Sequence, residues 1–288
     1  MRYKLDLLLQ LAKVKITAAV SITTITGYIL YKHGINRDII LPTLGIFLLA
    51  CGSSVINHIQ EYKTDMIMER TKKRPLPTGQ IAIWQAWLFA SVLVLTGSSI
   101  IFTFSGIIAL YLGLTALIWY NLIYTNLKKI TFYAVIPGSV IGAIPPLVGW
   151  VTAGGHLNDI RAYTIALFFF VWQVPHFWLL MLKYGEQYKN AGFPTITESK
   201  TPFMIRLLTF IWTISTAISA LFLPYFEVIH SKIAITGIII ASIWLIVQFV
   251  FVIINKKSDF SPGKFFMKIN YYVLAVIIFL VTDHILPI

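Results

Sequence analysis

Residues 39–79 read IILPTLGIFLLACGSSVINHIQEYKTDMIMERTKKRPLPTG. The run from Ile39 to Ile59 is apolar and matches the ~20 residues that cross a bilayer as a helix. Asn57, Glu61 and Asp65 fall at i, i+4 and i+8, so on a helix they lie within about 80° of one another. Two carboxylates and an amide on one face make an oxygen-rich site of the kind that hard cations such as Mg²⁺ prefer. Arg70, Lys72, Lys73 and Arg74 follow, and Pro75, Pro77 and Gly79 then end the helix. Acids that hold a metal beside bases that hold an anion imply a metal–phosphate substrate. Charges after an apolar run also serve as the ordinary anchor of a transmembrane helix. Here, however, the acids share a face, and Asn57 lies inside the run, where a polar group is costly and points to function.

The rest of the chain fits that reading. Of 288 residues, 58% are hydrophobic and only 12% charged, against about 25% charged in ordinary soluble domains. This is the composition of a polytopic membrane protein built as one all-α domain, residues 1–288. The net charge of +12 would suggest nucleic acid in a soluble chain. In a membrane chain topology accounts for it, and no nucleic-acid partner is expected. Cys51 is the only cysteine and lies in an apolar run, so there is no intramolecular disulfide, and no C-x-x-C-H attaches haem covalently. Lys13 and Lys15 interrupt the first apolar stretch, which rules against a signal peptide.

Residues 3–13 are too short and too charged to span and read as an interfacial helix, within a segment 1–14. Nine spans follow, at roughly 16–31, 39–60, 82–104, 106–124, 132–153, 162–182, 204–225, 233–254 and 266–286. With a cytoplasmic N-terminus, five segments lie inside. They are the N-terminal segment (Arg2, Lys4, Lys13, Lys15), the motif loop (Lys63, Arg70, Lys72, Lys73, Arg74), and the 4–5 connection (Lys128, Lys129). The 6–7 connection (Lys183, Lys189, Lys200, Arg206) and the 8–9 connection (Lys256, Lys257, Lys264, Lys268) complete the set. Of the 23 basic residues only Lys32, Arg37, Arg161 and Lys232 fall outside. This bias sets the orientation in a cell inner membrane and brings the 2–3 and 6–7 connections to one side.

The pattern N-x-x-x-E-x-x-x-D-x-x-M-x-R-T-x-x-R-P-L-P-T-G, from Asn57 to Gly79, resembles the first signature of the UbiA-type intramembrane prenyltransferases. Met68, Arg70, Thr71, Arg74, Pro75 and Leu76 match the haem O synthase branch of that family. Glu61 departs from the usual Asp; it keeps the charge and would shift a metal by about one methylene. Tyr124 to Thr131 resembles that branch's Y-T-x-x-L-K-R-x-T. Gly142 to Trp150 is similar to its G-A-x-P-P-L-x-G-W, and Trp172 to Trp178 to its W-Q-x-P-H-F-W. The second acidic motif is thinner: Glu186 is present, but Gln187 replaces the second acid, which bears on the number of metals. Where the family starts a helix with Lys-Pro, this chain has Lys13-Val14. The resemblance covers roughly residues 13–200.

What the resemblance implies is a nine-helix UbiA-like bundle. Its activity would be transfer of a farnesyl group from farnesyl diphosphate to a vinyl group of haem B, with water adding as a hydroxyl. Mg²⁺ would be held by Asn57, Glu61, Asp65 and Glu186, and diphosphate by Arg70, Lys73 and Arg74. Lys128, Lys129 and Lys183 would join them or serve as topological anchors. Tyr124 and His176 would meet substrate, His176 either at the haem or hydrogen-bonded across helices. A haem-handling membrane partner is a further implication. Two other readings stay open: a related enzyme prenylating a phenolic or quinone precursor, and a non-catalytic assembly factor or transporter. Gly138 and Gly142 predict close helix packing, and Pro145-Pro146 predicts a kink that frees backbone carbonyls.

Overall fold

In a computed structural model, which describes residues 2–254 and 260–286, the chain is helical throughout, with no strand among the described residues. Lys256 and Lys257 of the 8–9 connection lie outside them. The principal helices are α1 (Arg2–Leu11), α2 (Val14–Lys32), α3 (Ile40–Asp65), α4 (Ile83–Ile118) and α5 (Val140–Thr152). They continue with α6 (Ile160–Lys183), the short α7 (Gly185–Asn190), α8 (Pro202–Tyr225), α9 (Lys232–Ile254) and α10 (Pro262–Ile285).

The helical stretch from Ile83 to Leu127 is 45 residues long. At 1.5 Å per residue that is about 67 Å, twice the ~30 Å of a hydrocarbon core. Gly106 resolves the excess. Its φ of 80° and ψ of −177° interrupt the helix in a region open essentially to glycine alone. The chain doubles back there. Val94 on one arm packs beside Gly52 of α3, and Asn121 on the other donates to Ser53 Oγ at 2.6 Å. Eight long apolar helical stretches among the described residues therefore make nine crossings, with the turn where residues 104 and 106 were read as the edges of two spans.

α1 does more than lie at an interface. Leu7 and Leu11 are buried against Val55, Leu76, Ile81 and Ala86, and Ser54 Oγ donates to the Leu11 carbonyl at 3.1 Å. α2 and α5 pack backbone on backbone. A Cβ on Gly27 would meet the Pro146 carbonyl oxygen at 1.9 Å, and one on Gly149 the Thr24 carbonyl oxygen at 1.8 Å. Gly97 packs in the same way against the backbone of Gly45 and Leu49 in α3, whereas Gly138 and Gly142 make room for the Tyr124 ring and the Gln173 side chain. α5 runs as helix through Pro145-Pro146, and the break in that crossing lies at Ser139, between Val135–Gly138 and Val140–Thr152. A core of large side chains, among them Trp150, Phe168, Phe169, Leu223, Phe249 and Tyr272, ties α5, α6, α8, α9 and α10 together.

Candidate active site

The last turns of α3 carry the acids inward: Asn57 is 2%, Glu61 7% and Asp65 1% exposed. The sequence-predicted face is real, and each member meets a partner from a different element. Lys13 Nζ, at the turn between α1 and α2, donates to Asn57 Oδ1 at 3.1 Å. The Tyr120 hydroxyl donates to the same oxygen at 3.3 Å, and Asn57 Nδ2 donates to Thr125 Oγ1 at 3.2 Å. Glu61 is ion-paired with Lys128. Arg74 Nη1 donates to Asp65 Oδ2 at 2.7 Å.

Local structure explains how these partners arrive. Lys13 adopts φ 48° and ψ 46°, turning the chain sharply so that its side chain reaches α3 from 44 residues away. After the second arm of α4 the backbone widens into a π-helical turn, Trp119–Tyr124, a form found mostly as single turns at functional sites. The extra residue brings Tyr120 and Asn121 to the α3 face and is closed by Thr125 Oγ1 donating to the Tyr120 carbonyl at 2.9 Å. Beyond α3, Met68, Thr71, Leu76 and Ile81 are buried, and Thr71 Oγ1 donates to the Asp65 carbonyl at 3.0 Å. The 66–82 loop is thus clamped with Arg74 facing Asp65.

Three bases face two acids, so the site is net positive. Burial would lower the Lys128 ammonium, but the Glu61 carboxylate, with Tyr124 and Tyr120 behind it, outweighs that and holds its pKa above the ordinary lysine value. Lys13 goes the other way: desolvation and then the Arg74 charge bring its pKa down to about 7. Asp65 Oδ1 is buried without a hydrogen-bond partner, an arrangement that a bound cation would satisfy. Aromatic rings line the approach. Tyr124 stacks on Tyr120 at 5.7 Å and on Phe177 at 5.6 Å, and Lys128 Nζ lies 5.3 Å from the Tyr124 ring and 5.9 Å from that of Phe193.

The other sequence-predicted residues divide. Arg70 lies 4.7 Å over the Tyr184 ring, and its backbone N–H donates to Gln187 Oε1 at 3.0 Å. Gln187 therefore pins the motif loop to α7. Glu186 beside it is exposed and forms no hydrogen bond or ion pair among the described residues. Lys73 and Lys183 are exposed on the same side. Lys129 parts from Lys128, turning outward to a surface depression with Lys189, Phe193 and Glu198. His176 is held across helices: its Nδ1 lies 2.8 Å from Asn270 Oδ1, while Asn270 Nδ2 donates to the Phe266 carbonyl at 2.6 Å. The imidazole is therefore the donor in that pair. Sequence reading missed Lys13, which it counted as a charge anchor, and Tyr120. The family's lysine at the first helix start was the available signal for Lys13.

A face of carboxylates and amide, backed by cations, lies at one end of a nine-crossing helical bundle. The chain belongs to the UbiA prenyltransferase family, whose model matches residues 20–272. It is 35% identical over 217 residues to a protein of Geobacter sulfurreducens named protoheme IX farnesyltransferase, covering 74% of this chain and 78% of that one. It is 34% identical over 273 residues to the protein of that name from Aquifex aeolicus, covering 93% and 91%. In fold it is similar to a solved digeranylgeranylglyceryl phosphate synthase (TM-score 0.80, 19% identity, 98% and 99% of the two chains). It is also similar to a UbiA homologue from Archaeoglobus fulgidus bound to GPP and Mg²⁺ (TM-score 0.61, 14% identity, 96% and 99%). At such identities the structural likeness establishes the fold.

Proposed function

We propose that this chain transfers a farnesyl group from farnesyl diphosphate to a vinyl group of haem B, at the cytoplasmic end of an inner-membrane bundle whose N-terminus is inside. The relatives named above supply the substrates. The observation that carries the chemistry is the pairing of both buried acids with a base, Glu61 with Lys128 and Asp65 with Arg74. Such pairs are two halves of one receptor, the carboxylates for a divalent cation and the freed Lys128, Arg74 and Lys13 for the diphosphate it accompanies.

Asn57, Glu61 and Asp65 fit Mg²⁺ by donor type and by the unpartnered Asp65 Oδ1. Glu186 would approach from α7. Mg²⁺ held there would neutralise the leaving diphosphate. The chain's own cations hold that charge as it develops, when the C1–O bond of the prenyl group breaks. The Tyr120, Tyr124 and Phe177 rings shelter the allylic cation and exclude water until the vinyl π-bond attacks C1. Water then adds to the resulting haem cation as a hydroxyl and loses its proton. Exposed Lys73 and Lys183 are suited to the propionates; His176, already bonded to Asn270, orients the aromatic wall.

The test is incubation of purified protein with haem B, farnesyl diphosphate and Mg²⁺, followed by mass spectrometry of extracted haem. A farnesyl-plus-water adduct that disappears with a chelator is the expected result. Unmodified haem beside a prenylated quinone precursor overturns the acceptor.

A further inference from the structure

At the end of the bundle away from the acids, three histidines and an aspartate converge from separate elements. Asp283 and His284 end α10, His230 lies in the α8–α9 connection, and His33 closes α2. One candidate donor atom from each of His230, Asp283 and His284 lies within 4.8 Å of the others. Asp283 Oδ2 is 3.8 Å from His230 Nδ1, and the His284 ring lies beside the same carboxylate. The Asp283 and His284 side chains are each 2% exposed.

Part of this cluster has a structural explanation. Asp283 accepts the backbone N–H of His230 at 3.0 Å and of Ser231 at 2.7 Å, tying α10 to the start of α9. That tie uses only backbone from the connection, so the two imidazoles are not accounted for by it. His284 Nδ1 donates to the Leu280 carbonyl at 2.9 Å, since a carbonyl can only accept. This fixes the ring and leaves Nε2 with its lone pair, as metal-binding histidines are held. The His33 ring stacks on His284 at 4.8 Å and 16°, steadying it further.

We propose that His230, Asp283 and His284 form a binding site for one divalent first-row transition-metal ion of the imidazole-preferring class, such as Zn²⁺ or Co²⁺. Metal–ligand bonds of about 2.0–2.1 Å put donors roughly 3.3 Å apart in a tetrahedral centre. The exposed His230 side chain is free to rotate its donor nitrogen toward the metal. The site is separate from the acids in place and in chemistry. Lys13 and His33 flank the two ends of α2, whose 19 residues span about 28 Å, and imidazole nitrogen replaces the oxygen-only set that suits Mg²⁺. Bound metal clips the end of α10 to the α8–α9 connection.

Full-length protein purified in detergent without a polyhistidine tag, and stripped with chelator, is titrated with Co²⁺ while its visible d–d absorption is followed. One saturable site, displaced by Zn²⁺, is expected. Its dissociation constant should rise at least tenfold in His230→Ala and in His284→Gln and stay unchanged in Asp65→Asn. Zn²⁺ should raise the melting temperature of the wild type and not of His230→Ala. His230 is 60% exposed on a connection, so that variant folds even if His284→Gln does not. The absence of a saturable Co²⁺ site below millimolar concentration, or equal affinity in His230→Ala, overturns the proposal.

Discussion

Asp65 combines nearly complete burial, one oxygen bonded to Arg74 and one without a partner. Asp65→Asn keeps the shape and removes the charge. Turnover should fall by about 10²–10³, the usual scale for an electrostatic group in an active site, with the far-ultraviolet helical signal unchanged. Turnover near the wild-type value would remove Asp65 from the metal set. The Glu61–Lys128 pair allows a different measurement. Both side chains are largely buried, and breaking a buried pair by deleting one partner strands a charge at a cost of about 3–5 kcal/mol, whereas deleting both is far milder. Lys128→Met and Glu61→Gln should each lower the melting temperature by more than their double variant does. Additive losses would mean that the pair is a solvated surface contact. The double variant should still be inactive, which separates stability from function.

The elements show what the sequence could and could not reveal. Hydropathy and the 3.6-residue period fixed the crossings and put Asn57, Glu61 and Asp65 on one face, because both signals are local. The turn at Gly106 was also local: no helix of 45 residues fits one bilayer, and a glycine stands at the middle. Partners that meet through space were not legible. Lys13 reaches Asn57 only because α1 docks on α3, and Lys128 parts from Lys129 only because of where the π-helical turn ends. Nothing in Trp119–Tyr124 marks a π turn, since its side chains suit an ordinary helix. Gly138 and Gly142 carry a helix-packing motif, but the glycines that meet a neighbouring helix's backbone include Gly27, Gly97 and Gly149. At Gly106 no atom would obstruct a Cβ, so the cost of a side chain there is purely backbone, about 1–3 kcal/mol. Gly106→Ala should lower the melting temperature by several degrees and leave the Michaelis constant for the prenyl diphosphate unchanged. An unchanged melting temperature would mean that the hairpin turns by another route.

For the whole molecule, the decisive quantity is the number of crossings, because it determines which connections can share a site. If residues 83–127 crossed the membrane once, every later connection would change sides. The motif loop and the 184–194 segment would then face opposite compartments. The Arg70 backbone bond to Gln187 at 3.0 Å and the Lys128 contact with Phe193 require them together. Two crossings through the Gly106 hairpin satisfy this and are consistent with the expectation that Lys32, Arg37, Arg161 and Lys232 lie on the other side from the remaining bases. Single cysteines test it directly. Cys51 is buried and is replaced by serine to give the background; Lys73, Asn190 and Asn36 are exposed. A membrane-impermeant maleimide applied to intact spheroplasts should label Asn36→Cys and spare both Lys73→Cys and Asn190→Cys. Inverted vesicles should reverse the pattern. Labelling of Lys73→Cys and Asn190→Cys from opposite sides would reduce the count to eight and separate the 184–194 segment from the acids. Labelling of both from outside would keep nine crossings and invert the orientation, placing the diphosphate site on the face away from the cytoplasm.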